Sequence, residues 1–153
     1  MGIRLAFGLW CASFLARMLK SGSGRRMWLG GLRSEIAGCW EAYADELAGL
    51  LETLPVEESR TRWHLGLVVP RVAHTRMQRL RAARTMSLLA EDESNGVRCS
   101  AVEGLGLLAM KEASLRDEAE EMVERFLREG TKAMKSRARA VMRLWAGSER
   151  RKK

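Results

Sequence analysis

Apolar residues recur along the chain at the three- and four-residue spacing of helices. Near the start Leu5, Leu9, Ala12, Leu15, Ala16 and Leu19 fall on one helical face. Near the end Met134, Ala138, Val141, Met142 and Trp145 do the same at 100° per residue, with Lys132, Lys135, Arg139 and Arg143 on the opposite side. Two prolines, and few β-branched residues beyond scattered valines, favour helix over sheet. Thr75-Arg-Met-Gln78 and Ser114-Leu-Arg-Asp117 have the form of capping boxes that open helices. Pro55 separates two helices, and Pro70 is expected to end or kink a helix just before Arg71. Gly104 and Gly106 lie inside a strongly periodic stretch. Each costs about 1 kcal/mol of helix propensity against alanine, which points to close packing of another helix there.

The pattern also repeats at longer range. Arg26-Met-Trp-Leu29, Arg62-Trp-His-Leu65, Arg98-Cys-Ser-Ala101 and Arg137-Ala-Arg-Ala140 stand 36, 36 and 39 residues apart. An apolar residue always follows the arginine by three. Ten or eleven residues before the last three arginines an apolar helix ends, at Leu51, Leu88 and Leu127. Each unit is therefore two helices joined by a turn, and a period of this size means stacked units.

The clearest unit runs from Met86 to Ala109: an apolar helix end, Asp92, a short turn, Val97-Arg98, then small and leucine positions. It resembles a HEAT repeat. The resemblance implies an all-α fold, an α-solenoid of about four HEAT-like helix-turn-helix repeats in an ARM-type right-handed superhelix. Repeats fall at about 3–38, 39–73, 74–112 and 114–147 in one domain spanning 1–147, with 148–153 a disordered basic tail. In that family an aspartate and an arginine form a ladder of hydrogen bonds between neighbouring turns. Asp92 and Arg98 therefore read as structural, along with Arg26, Arg62 and Arg137. The other units lack the aspartate, and the first, with Ser21-Gly-Ser-Gly24 as its turn, matches only through Arg26 and Leu29.

Chemistry adds little. Cys11, Cys39 and Cys99 are 28 and 60 residues apart and form no Cys-x-x-Cys pair, so they read as reduced thiols of a cytoplasmic protein. His64 and His74 have no nearby cysteine to complete a ligand set, and neither a metal nor a cofactor is expected. The apolar stretch Leu5–Ala16 after Arg4 imitates a short signal peptide. It is too short to cross a bilayer, is interrupted by Gly8 and Ser13, and reads better as an opening helix. No membrane contact is expected.

Charge is arranged in blocks. An acidic helix (Glu41, Asp45, Glu46, Glu52), a basic one (Arg76, Arg79, Arg81, Arg84) and another acidic one (Asp117, Glu120, Glu121, Glu124) would neutralise one another if stacked side by side. Alternatively, the basic block at 71–84 is a binding stripe. Residues 1–131 hold 18 basic and 18 acidic residues, so the whole net charge of +8 lies in residues 132–153. There Lys132, Lys135, Arg139 and Arg143, extended by Arg150 and Arg151, form a basic stripe. It is a candidate anion or nucleic-acid contact, or a solvated end of the array.

No phosphate-binding loop, nucleophile elbow or acid–base couple is visible, so the chain reads as a non-catalytic scaffold with another protein as partner. Nucleic-acid binding through the basic closing helix and tail is the alternative. A third candidate rests on the resemblance alone. Some alkylpurine DNA glycosylases are built from HEAT-like repeats, with aromatics and an aspartate on a basic concave face. Here Trp28, Trp63 and Trp145 read as core instead, and the second helices offer mainly Glu57, Glu58, Glu103 and Glu112 as carboxylates, with no aspartate.

Overall fold

In the computed structural model, residues 43–151 are described; they lie within the compact unit Cys39–Lys153. The repeat expected at 3–38, with Arg26 and Trp28, lies outside them, as do Cys11, Cys39 and Glu41. Every regular element among the described residues is helical: α1 (Ala44–Thr53), α2 (Ser59–Val72), α3 (Arg76–Leu89), α4 (Asn95–Ala109), α5 (Arg116–Glu129) and α6 (Lys132–Arg150), with 3₁₀ turns at Val56–Glu58 and Ala113–Leu115.

Local chemistry sets the boundaries. Leu54 is driven into extended backbone (ψ 133°) by the proline that follows it, and this ends α1. Thr75 opens α3 with a complete capping box. Its hydroxyl accepts the Gln78 N–H, and the Gln78 side chain accepts the Thr75 N–H, both at 3.1 Å. Thr131 caps α6 through the Met134 N–H.

Three boundaries differ from the sequence reading. α2 continues to Val72, two residues past Pro70. The missing N–H falls in the last turn, so it costs one terminal bond, and the ring is buried in the core. Ser114 caps nothing. Its hydroxyl turns back to Glu112, a 3₁₀ turn intervenes, and α5 starts at Arg116 with Asp117 and Glu118 against its N-terminal dipole. α6 runs to Arg150, so residues 148–150 of the expected tail are helical. Glu149 is held there by Arg116 at 3.7 Å.

The helices come in consecutive pairs: α1 with α2, α3 with α4, α5 with α6. The second members also pack on each other, α2 against α4 most extensively and then α4 against α6, while α1 packs on α3. α4 is thus central, and ten of its fifteen residues are buried. Glycine makes this possible. A methyl group placed at Gly104 would lie 2.6 Å from Met86 Sδ and 2.7 Å from Pro70 Cγ, and one at Gly106 would overlap Val141 of α6. The core includes Leu65, Ala101, Phe126 and Trp145. No described helix is long and apolar enough to cross a membrane.

Candidate interaction surfaces

The arginines that carry the sequence period do three different things. Arg62 on α2 forms an ion pair with Asp92, in the turn between α3 and α4, and Asp92 is nearly inaccessible. Asp92 also accepts the Ser94 N–H at 2.8 Å, which shapes that turn. Arg98 donates to the Ala90 carbonyl at 3.1 Å and lies over the Phe126 ring at 5.6 Å. Arg137 leaves the turns altogether and binds Glu103 at 2.6 Å.

That last contact defines a surface. Glu103, on the open side of α4, takes Arg71 of α2 on one oxygen and Arg137 of α6 on the other, both at 2.6 Å. One carboxylate therefore spans all three second helices. Residues one and two turns away share its face: Trp63 and Leu67 with Arg71, Leu107 and Met110 with Glu103, Ala140 and Leu144 with Arg137. Spacing does not reveal this face, because the three residues hold different repeat positions: Arg71 stands nine residues after Arg62, Glu103 five after Arg98, and Arg137 is itself the repeat arginine. Two residues also lie elsewhere than their spacing predicts. Trp63, read as core, is 36% exposed and packs against His64 with ring centroids 4.6 Å apart. Met142, read as docked, is 47% exposed because it lies at the margin of the apolar arc centred on Val141 and Trp145.

The other carboxylates considered for chemistry are committed or peripheral. Glu112 is bound by Arg79 at 3.3 Å and approached by Arg76 at 3.8 Å. A hydrogen bond from Ser114, aided by the arginines, holds its carboxyl below the usual range. Glu57 and Glu58 belong to the 3₁₀ turn before α2. Lys111 donates to the Arg71 carbonyl, and burial, then the neighbouring Arg79 and Arg71, pull its ammonium pKa down. Cys99 is a free, buried thiol whose pKa burial raises. Among the described residues no three His, Cys, Asp or Glu side chains gather as a metal site would need.

Between the first helices of the pairs, charge neutralisation is realised once. Arg81 of α3 forms a fork with Glu52 of α1 at 2.9 and 2.7 Å and reaches Asp45 at 3.6 Å. The Glu52 carboxyl is held low by that arginine, against an opposing effect of burial. Toward α5 the expected match is thin. Ser87 meets Glu118 and Glu91 meets Arg125, while Arg76 and Arg79 turn to Glu112 instead.

The other basic residues of α6, with Arg151 just beyond its end, stand apart. Lys132, Arg139, Arg143, Arg150 and Arg151 are exposed, Lys135 is half-buried, and none is paired with a carboxylate among the described residues. No family model, curated protein or solved structure matches the chain.

Proposed function

We propose that the chain is a non-catalytic HEAT-like scaffold, an α-solenoid, that binds another protein on the open face of α2, α4 and α6. The helix pairs whose second members stack, and the Arg62–Asp92 tie from one pair to the turn of the next, support the solenoid reading. One observation carries the choice of face: Arg71, Glu103 and Arg137 lock three helices into a shared surface, and Trp63, Met110 and Leu144, each 36–44% exposed, fall on it. Aromatic, methionine and arginine side chains at the centre of a patch are the composition of protein interfaces, and tryptophan and arginine dominate their hot spots.

The test is affinity capture of partners from the native host, with the wild-type chain beside Trp63→Asp/Leu144→Asp and an outer-face control, Met77→Asp/Leu88→Asp. A partner retained by the control and lost by the inner-face variant is expected, since losing one hot spot costs about 2 kcal/mol or more, roughly thirtyfold in affinity. Equal retention by both variants, each with native circular dichroism, would eliminate this face.

A further inference from the structure

α6 carries a second surface that points elsewhere. Measured around the helix from Arg137 at 100° per residue, Met134, Ala138, Val141 and Trp145 lie at about 40–100° and fill the core. Lys132, Lys135, Arg139, Arg143 and Arg150 lie at about 160–240°, away from both the core and the Arg71–Glu103–Arg137 face.

The charge of this stripe is uncompensated. Arg62, Arg71, Arg79, Arg81, Arg116 and Arg125 each meet a carboxylate. The five stripe residues meet none among the described residues, and the sole acid of α6, Glu149, is turned to Arg116 of α5. Like charges one turn apart on a helix repel, and no carboxylate among the described residues relieves that repulsion.

We propose that this stripe docks the phosphate backbone of a duplex nucleic acid, without base readout. The proposal goes beyond the inner-face reading and is independent of it. Lys132 to Arg143 covers about 16 Å of helix axis, and one strand of a duplex presents a phosphate about every 3.4 Å of its axis, so every cation finds a phosphate within reach of a long side chain. A membrane fits less well. A helix lying on lipid buries its apolar face among acyl chains, whereas that face of α6 is committed to the core. A protein partner also fits less well, because the stripe contains no aromatic or leucine anchor.

The experiment is fluorescence anisotropy of a labelled random-sequence duplex titrated with the full chain at about 50 and about 200 mM salt. Salt-dependent binding is expected, with log affinity falling against log salt at a slope of about −3.6 for four neutralised phosphates. Lys132→Gln/Lys135→Gln/Arg139→Gln/Arg143→Gln should weaken binding at least tenfold at the lower salt and flatten the slope, with the melting temperature preserved. Arg60→Gln/Arg84→Gln, which removes exposed charge elsewhere, and Trp63→Asp/Leu144→Asp should both bind like the wild type. Three results would overturn the proposal: no duplex binding at the lower salt, which makes the stripe a solubilising end; undiminished binding by the quadruple variant; or binding to anionic phosphatidylserine vesicles but not to duplex.

Discussion

Trp145 of α6 donates its indole N–H to the Gly106 carbonyl of α4 at 3.0 Å, inside the core. Gly106 is among the last four residues of α4, whose carbonyls have no partner within the helix. The indole therefore satisfies a polar group that burial would otherwise strand. The same glycine, lacking a side chain, lets Val141 approach closely enough for the bond to form.

Trp145→Phe keeps most of the ring volume and removes the donor. It should lower stability by about 1–3 kcal/mol, the cost of a buried acceptor left unsatisfied, read as a shift of the denaturation midpoint at unchanged m-value. A loss below about 0.5 kcal/mol would show that the carbonyl finds water instead.

Gly106→Ala should destabilise although alanine is the better helix former. Overpacking against Val141 costs about 1–3 kcal/mol, against a propensity gain of about 1 kcal/mol. Adding Val141→Ala should recover part of the loss, so the two changes should be non-additive in a double-mutant cycle. Simple additivity would refute direct contact as the cause.

Arg62 and Asp92 tie α2 to the turn ahead of α4, and both side chains are largely buried. Removing one partner, as in Arg62→Ala, leaves a buried carboxylate unpaired and should cost about 3–5 kcal/mol. Arg62→Met/Asp92→Asn should cost less than Arg62→Ala alone. Arg98→Ala should also destabilise, through the lost bond to Ala90 and the packing on Phe126. Native-like melting of Arg62→Ala would contradict the tie.

Glu52 and Glu112 both titrate below the ordinary carboxylate value, Glu52 mainly through its bond from Arg81 and Glu112 through its bond from Ser114. A depressed carboxylate stabilises the fold in full above its unfolded value of about 4.3. That contribution fades as pH falls through the lower folded value. His64 is depressed chiefly by burial, so protonation below about pH 6.5 favours the unfolded chain. Melting temperature should therefore decline in two stages on acidification. Glu52→Gln should reduce only the stage between about pH 5 and 3, and His64→Gln only the stage near about pH 6. A wild-type curve that is flat from about pH 7 to 3 would contradict both assignments.

What the chain revealed before folding was mostly local. Helical character came from spacing, the Thr75–Gln78 box from four adjacent residues, and the tight approach at Gly104 and Gly106 from their cost in propensity. Ser114 had the same spacing as Thr75 but did not cap, because it lies within the 3₁₀ turn Ala113–Leu115 and the helix begins only at Arg116. The shared face of α2, α4 and α6 was not legible. Arg71, Glu103 and Arg137 are 32 and 34 residues apart, and only the rotation of one second helix against the next decides that they meet. Trp63 misled for a similar reason: a tryptophan reads as core unless its side of the helix is known to face outward.

The central place of α4 bears on where the chain could be cut. Severing it after Ala109 would bare Gly106 and the rest of the α4 surface covered by α6, and would leave the Gly106 carbonyl without its indole. Severing it before Asn95 would remove the helix on which α2, α3, α5 and α6 all rest. Neither cut leaves an intact interior, so the described helices should melt as one cooperative block, with no seam for proteolytic dissection at either end of α4.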